Sequence, residues 1–437
     1  MDWPIVLALF MGSLLLLLIL RVPVAIALLA VNIVGAILLF GFAQAPQQIA
    51  TGLISSVTNY SYSAVPLFIL MGEIIYRSSI AQRAIDSVDV VLGKLPGRQA
   101  VLATSSGTLF GVLSGSTIAN TAMLGRLLLP GMLEKGYSKT LSMGSIMGAG
   151  ALAMILPPSA LAVVWGATAQ VPIGPLFIAG IIPGLLLAVI YVLVILVWAT
   201  FFRGAPSERG TLRQVGSRWL PVVKNVMPLG IIIFAVIGFI FLGIATPTES
   251  AATGVVGSLL VAAIYRSLKL RSLWEALVGT VKTTTMIFFL LFGSQLYSQV
   301  MSYSGASTGL VEWALGASLP AIGVLLIMIF LVLLFGLFLD QVSIMLITIP
   351  LFMPIVAAQG WDPVTFGIIM LIALEVGLLT PPFGLSLFVM RGVAPEGINM
   401  VHIYKAAAPF VVINLVVIGA LIAFPELTLW LPSQMDR

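Results

Sequence analysis

Residues 335–386 read FGLFLDQVSIMLITIPLFMPIVAAQGWDPVTFGIIMLIALEVGLLTPPFGLS, and the first half of the chain holds a copy of this pattern. The copy is residues 111–161, GVLSGSTIANTAMLGRLLLPGMLEKGYSKTLSMGSIMGAGALAMILPPSAL. Three landmarks keep one offset of 224 residues, the difference between positions 130 and 354. They are Pro130 with Pro354, Gly136 with Gly360, and Pro157-Pro158 with Pro381-Pro382. Shared apolarity alone rarely keeps such an offset, so the sequence predicts an internal repeat.

The composition is typical of an integral membrane protein. Hydrophobic residues make up 60% of the 437 residues, charged residues make up 8%, and the mean hydropathy is +1.18. Soluble domains carry about 25% charged residues. Apolar runs able to cross a hydrocarbon core of about 30 Å as helices recur along the chain. They lack the alternation of barrel strands, so we predict an all-α polytopic membrane protein.

The net charge is +5, and the basic residues responsible for it lie in a few short stretches. Lysine and arginine concentrate in residues 77–98, 135–139, 203–224 and 266–271. These are short connections of the kind that face the cytoplasm under the positive-inside rule. The basic excess therefore indicates membrane topology, and we expect no nucleic-acid partner.

Each half is predicted to contain a re-entrant helical hairpin followed by a helix broken at Pro-Pro. The hairpins are residues 101–130 and 321–356, and the broken helices are residues 141–169 and 366–390. A hairpin that turns near Ser114-Gly115-Ser116 keeps Lys135 and Lys139 on the cytoplasmic side. The second half then runs inverted, and paired interrupted segments in inverted halves point to the binding site of a secondary transporter.

Four breaks offer groups that bind ions, and they lie at residues 114–117, 155–159, 339–341 and 379–384. Proline has no N–H and clashes with the carbonyl four residues earlier, so Pro-Pro inside a helix frees carbonyls near the membrane centre. Freed carbonyls and Ser or Thr hydroxyls are oxygen ligands that suit Na⁺, whereas half-helix N-termini suit a substrate carboxylate. We therefore expect one cation site at each hairpin tip with its Pro-Pro break, and the anion between them.

Four charged side chains leave alternatives open. Asp340 lies at membrane depth, where a carboxylate is usually functional, but it also suits a helix cap. Glu375 fits a role in gating or coupling as well as a structural hydrogen bond. Arg126 either extends to the inner surface or faces the substrate path. Glu73 precedes Arg77 by four residues, which favours an ion pair on one helix surface.

Eight stretches carry a resemblance to a known family. They are VPLFILMGEII, GVLSGSTIANTAMLG, LPGMLEKGYSK, ILPPSAL, ATPTESAA, the region around Asp340, GWDPVTFGI and LLTPPFGLSLFVMRGVAP. Over essentially its whole length the chain resembles the large membrane (permease) subunit of the tripartite ATP-independent periplasmic (TRAP) transporters. The resemblance implies an elevator-type, Na⁺-driven importer of organic acids, with no cofactor and no metal other than Na⁺. Its implied partners are a small membrane subunit and a periplasmic substrate-binding protein.

The resemblance also implies a location, a domain division and site residues. The location is the inner membrane of a bacterium or archaeon, and the distribution of basic residues predicts that both termini are periplasmic. The implied scaffold is residues 1–60, 171–280 and 393–437, and the implied transport domain is residues 61–170 and 281–392. The implied sodium ligands are Ser114, Gly115, Ser116, Thr117, Pro157 and Ser159 in one half and Asp340, Thr380, Pro381 and Gly384 in the other. Asn120, Arg126 and Glu375 are candidates for the substrate path.

Other functions fit the sequence less well. The main alternative is a stand-alone Na⁺/dicarboxylate symporter or ion antiporter of related inverted-hairpin architecture, which needs no binding protein. A membrane-embedded enzyme would need a cluster of ligands or a nucleophile with a base, yet the chain has one His and no Cys. A channel is disfavoured because paired hairpins suit alternating access. No nucleotide-binding loop of the G-x-x-x-x-G-K type occurs, so ATP is not the expected energy source.

Overall fold

The computed structural model describes residues 3–78, 80–93, 95–202, 204–206, 219–267, 269–316 and 319–435. This part leaves out residues 1–2 and 436–437, the termini predicted to be periplasmic, and most of the basic loop at residues 203–224. The described chain is helical, with short 3₁₀ turns at Tyr60–Ser63 and Pro432–Gln434, which confirms the all-α prediction. Its helices are α1 Trp3–Ile19, α2 Val24–Thr58, α3 Ala64–Arg77, α4 Ile80–Leu92, α5 Arg98–Ser114, α6 Thr117–Glu134, α7 Lys139–Ala151, α8 Ala160–Ala169, α9 Ile173–Phe201, α10 Trp219–Phe241, α11 Pro247–Ile264, α12 Leu270–Tyr303, α13 Ala306–Gly316, α14 Ala321–Gly336, α15 Gln341–Ala358, α16 Pro363–Leu379, α17 Leu385–Val393, α18 Met400–Ala423 and α19 Glu426–Leu429.

Six of the described helices are long and apolar enough to cross a membrane. They are α2, α9, α11, α12, α15 and α18. The predicted broken helices are absent from this set because each is divided into two shorter pieces. The second arm of the second hairpin, α15, has 18 residues and by length alone is sufficient for a crossing.

The two hairpins are divided at glycine or aspartate, as the sequence predicts. Gly115 and Ser116 separate α5 from α6. The second division runs from Leu337 to Asp340 and begins two residues before the predicted Leu339, because α14 already ends at Gly336. A Cβ atom on Gly336 would lie 2.5 Å from Cα of Gly377, so the two helix backbones touch where α14 ends.

The broken helices differ in how much of the break is buried. The first break extends from Leu152 to Ser159, beginning before the predicted residue 155, because tighter i to i+3 turns replace the helix there, with Ala153 N donating to the Gly150 carbonyl at 3.1 Å and Ile155 N to the Leu152 carbonyl at 3.4 Å. Its residues are buried, including the Pro157-Pro158 pair. The second break matches the predicted position after Leu379, and its Pro381-Pro382 pair is exposed. Both Pro-Pro bonds are cis.

The uncharged residues 43–58, which follow the apolar run at residues 24–42, are helical and belong to α2. Gly41, with φ 75° and ψ 165°, divides α2 into a first segment and a second segment that continues to Thr58. The first segment packs against α12, where Asn32 Nδ2 donates to the Gly293 carbonyl at 2.6 Å. A Cβ on Gly293 would lie 2.9 Å from Leu28 Cβ, so the small residue lets the two helices approach closely.

The division into scaffold and transport domain stays a prediction. The boundary at residues 280 and 281 falls inside α12, which continues from Leu270 to Tyr303 without interruption. On α18, which the division assigns to the scaffold, the Phe410 ring lies directly over Gly144 and Gly148 of α7. If the predicted transport domain slid against the scaffold, with the boundary at residue 393, this contact between α18 and α7 would have to break.

The predicted ion pair on α3 is confirmed. Arg77 Nε lies 2.6 Å from Glu73 Oε2, and Arg77 Nη1 also lies 3.3 Å from Glu275 Oε2 on α12. Glu275 in turn accepts from Arg271 at 3.0 Å. The four side chains therefore join α3 to the N-terminal part of α12, close to the basic residues predicted to face the cytoplasm.

Candidate functional site

A cavity of about 380 Å³ lies between the two hairpin tips. Gly115 and Ser116 line it from the first tip, and Asp340 and Gln341 line it from the second. The start of α8 also contributes, and residues of α3 and α12 close the opposite side. The structure thus brings together segments from both copies of the repeat.

The first tip is shaped by a glycine and a capping serine. Gly115 has φ 59° and ends α5 in the left-handed conformation, with its N–H donating to the Gly111 carbonyl at 2.8 Å. Ser116 is the N-cap of α6, and its Oγ accepts from Ala119 N at 3.3 Å. Capping serines satisfy one of the free N–H groups at a helix start. The Ser114 side chain lies outside the described part of the chain.

Asp340 has the capping role that the sequence left open. Its Oδ1 accepts from Val342 N and Ser343 N, each at 3.1 Å, and its Oδ2 accepts from Ser343 Oγ. The same carboxylate lines the cavity. Asp340 and Ser116 occupy positions related by the repeat offset, so both second arms begin with a capping oxygen at the cavity.

Each tip lies beside the Pro-Pro break of its own half, as predicted. A Cβ on Gly115 would lie 3.3 Å from Ala160 N, directly after the first break. Ser159 there caps α8, its Oγ accepting from Ala162 N at 3.3 Å. In the second half, the Phe338 and Phe383 rings are 5.6 Å apart.

Three helix N-termini border the cavity, namely those of α6, α8 and α15. The N-terminus of a helix carries free N–H groups and roughly half a positive charge. Such ends bind carboxylate and phosphate groups. Ser116 and Asp340, which carry a hydroxyl and a carboxylate, line the same cavity, so the arrangement can hold an anion and a hard cation near each other.

Neither break supplies a residue to the cavity wall, although Ala160 and Leu161 of α8, directly after the first break, line it. Thr380 ends α16, and its Oγ1 donates to the Val376 carbonyl at 2.6 Å. Pro381 is exposed, Gly384 is buried, and the Pro382 carbonyl accepts from Tyr404 OH at 2.9 Å. Among the residues that line the cavity, none comes from 380–384. The structure therefore brings Asp340 to the cavity and leaves the other three predicted second-half ligands behind it.

Glu375 lies behind the two tips and touches both. Its side chain is fully buried, and Oε1 accepts from Thr117 Oγ1 on the first tip and from Gln341 Nε2 at 2.9 Å on the second. Gln341 belongs to the predicted break at the second tip but is absent from the predicted site residues. The repeat offset could have identified it, since Gln341 is the position related to Thr117.

Two predicted substrate-path residues lie away from the cavity wall. Asn120 is buried, and its Nδ2 donates to the Gly107 carbonyl at 2.8 Å and to the Ala149 carbonyl at 3.4 Å. It fastens the two arms of the first hairpin together. Arg126 is exposed on α6 and does not line this cavity; its place on the substrate path stays a prediction beside the alternative of an arginine that extends to the inner surface.

Replacing Asn120 with alanine is expected to loosen the first hairpin. The change removes the side-chain hydrogen bond to the Gly107 carbonyl of α5, and such a bond contributes about 0.5–1.5 kcal/mol. We expect a lower thermal midpoint in detergent and faster amide exchange in α5 and α6. Asn225→Ala is the matched control, since it removes one side-chain hydrogen bond to Ser87 far from the cavity. Equal midpoints and equal exchange for the two variants would contradict this role.

Comparison with known proteins gives one consistent family. The family profile described as "Tripartite ATP-independent periplasmic transporter, DctM component" matches residues 11–427. The chain is 32% identical to the C4-dicarboxylate TRAP transporter large permease protein DctM of Pseudomonas aeruginosa, over 89% of this chain and 90% of that protein. It is also 32% identical to the ectoine TRAP transporter large permease protein TeaC of Halomonas elongata, over 96% and 97%.

A solved structure shares the fold. The YdaH transporter of Alcanivorax borkumensis superposes with a TM-score of 0.60 at 16% identity, over 87% of this chain and 89% of that chain. At this identity the likeness concerns the arrangement of helices alone.

Proposed function

The chain belongs to the family of DctM components of the tripartite ATP-independent periplasmic transporters, and on this premise we propose that it imports an organic acid by Na⁺-coupled secondary transport. It is a multi-pass membrane permease subunit, not an enzyme. The named relatives carry C4-dicarboxylates and ectoine. All of these substrates bear carboxylate groups, so a carboxylate is the substrate group proposed here.

One observation carries the proposal, which is the cavity shared by the two hairpin tips. Its bordering helix N-termini favour a carboxylate. A co-bound Na⁺ would neutralise the substrate and lower the cost of moving it through a low-dielectric region. The cavity volume of about 380 Å³ is ample for a small organic acid.

The proposed sodium ligands are grouped by half. The first site takes its oxygens from residues 114–117 with Pro157 and Ser159. The second takes them from Asp340 with Thr380, Pro381 and Gly384. Since the first break is buried and the second is exposed, the two proposed sites are not equivalent. The exposed second break is the one that a movement could open or close.

We place the chain in an inner membrane, with both termini on the periplasmic side. Its proposed partners are a small membrane subunit, suggested by the term large permease in the relatives' names, and a periplasmic substrate-binding protein. The proposed transport cycle is an elevator movement of residues 61–170 and 281–392 against the remaining helices.

Uptake into proteoliposomes tests this function. Vesicles that hold the chain and its small subunit are supplied with radiolabelled dicarboxylates, with and without an inward Na⁺ gradient and the loaded binding protein. The proposal requires that uptake depend on both. Uptake without the binding protein would favour a stand-alone symporter, and uptake that ignores Na⁺ would overturn the sodium sites.

A further inference from the structure

Glu375, a candidate from sequence for the substrate path and for gating or coupling, is a buried acid that does not line the cavity between the tips. It lies in the third quarter of α16, with none of its surface exposed. An unpaired charge at such a depth is costly, and acidic side chains there are usually functional. Both hydrogen bonds it accepts come from the hairpin tips, one from Thr117 and one from Gln341.

These two donors occupy related positions in the repeat. Thr117 and Gln341 are 224 residues apart, and Gln341 Nε2 lies 3.4 Å from Thr117 Oγ1. Related positions can touch in this way only where the two copies meet. Glu375 has no such counterpart, since the offset leads from it to Ala151. One carboxyl group therefore serves both tips.

Each donor is the first residue of a hairpin arm and directly follows its cap. Thr117 follows Ser116 at the start of α6, and Gln341 follows Asp340 at the start of α15. A displacement of Glu375 would shift both capping oxygens at once. We propose that Glu375 is a positioning residue that holds the two tips in register and so couples the two sodium sites. The coupling rests on the proposed function, whereas the positioning does not.

The hydrogen-bond geometry also indicates which property of Glu375 matters. Both donors converge on one oxygen, Oε1, so a single acceptor atom is sufficient for both contacts. The amide oxygen of glutamine can accept the same two bonds, whereas leucine fills similar space without any acceptor. Glu375→Gln should therefore keep the function that Glu375→Leu loses. A role that needs charge or a proton would be lost in both variants.

The first readout is the sodium dependence of uptake in the reconstituted complex. For Glu375→Leu we expect the Na⁺ concentration for half-maximal uptake to rise about tenfold, and the Hill coefficient to fall toward one. Glu375→Gln should stay within about twofold of the wild type. Thr348→Val is the matched control, since it removes a buried hydroxyl that bonds only to carbonyls of its own helix. It should leave the sodium curve unchanged.

The second readout does not depend on sodium. Hydrogen–deuterium exchange of residues 117–120 and 341–344 should accelerate in both tips for Glu375→Leu and in neither for Glu375→Gln. Wild-type uptake that ignores Na⁺ would refute the sodium sites while leaving this test intact. Faster exchange in one tip only, in neither tip, or equally in the Gln variant would overturn the positioning role.

Discussion

Replacing Gly384 with alanine is expected to reduce uptake about tenfold or more, since overpacking costs about 1–3 kcal/mol. The new methyl carbon would lie 2.3 Å from the Leu378 carbonyl oxygen and 3.0 Å from that of Thr380. These are backbone atoms of the last turn of α16 and of the break, so no flexible side chain can move aside. The backbone around Thr380 and Gly384, both proposed Na⁺ ligands, must shift instead.

Gly392→Ala is the matched control for this change. Gly392 lies in α17, the helix whose N-cap is Gly384, and an added Cβ would meet nothing within 4 Å. It should transport normally and gain slightly in stability, because alanine favours helix by about 1 kcal/mol over glycine. Uptake and the amount of monodisperse protein are measured for both variants. If Gly384→Ala matched Gly392→Ala in uptake, the break would tolerate movement and the proposed second site would be wrong.

Substitutions of Asp340 are expected to separate its capping role from its charge. Asparagine caps helices about as well as aspartate, so Asp340→Asn should retain stability. It should raise the Na⁺ concentration for half-maximal uptake about tenfold or more, since 1.4 kcal/mol of lost attraction gives a factor of ten. Asp340→Ala also loses the cap, at about 1 kcal/mol, and should show both a lower thermal midpoint and weaker uptake.

Asp362→Asn controls for changing a capping aspartate elsewhere. Asp362 caps α16, its Oδ1 accepting from Thr365 N at 2.7 Å, and it lies outside the cavity between the tips. Its variant should leave sodium activation as in the wild type. If the Asp340→Asn variant had the same sodium dependence as the wild type, Asp340 would act only as a helix cap. The proposed second cation site would then have no charged ligand.

The two halves differ chemically where the offset makes them comparable. A serine caps the first tip and an aspartate caps the second, and the first break is buried whereas the second is exposed. The second half therefore holds the stronger charge and the more accessible backbone. We expect substitutions there to affect sodium activation more strongly than Ser116→Ala does.

Much of the architecture could be predicted because its signals are local. Composition identifies a membrane protein, and proline chemistry requires a break near each Pro-Pro pair wherever the chain goes afterwards. The constant offset between Pro130 and Pro354 marks the repeat. For the same reason the positions of the breaks were predicted to within a few residues, and the Glu73–Arg77 pair, four residues apart on one helix, was predicted correctly.

The tertiary structure alone decided which distant side chains meet. Arg126 is exposed on α6, and the residues next to it in the sequence do not determine which way that helix is rotated. Glu375 meets Thr117 across 258 residues and Gln341 across 34 residues. Such contacts depend on how α6, α15 and α16 pack against one another.

The sequence thus determined the class of protein, the repeat and the breaks. Helix packing decided which groups share the cavity, because side-chain contacts follow from the relative placement of helices rather than from any one segment.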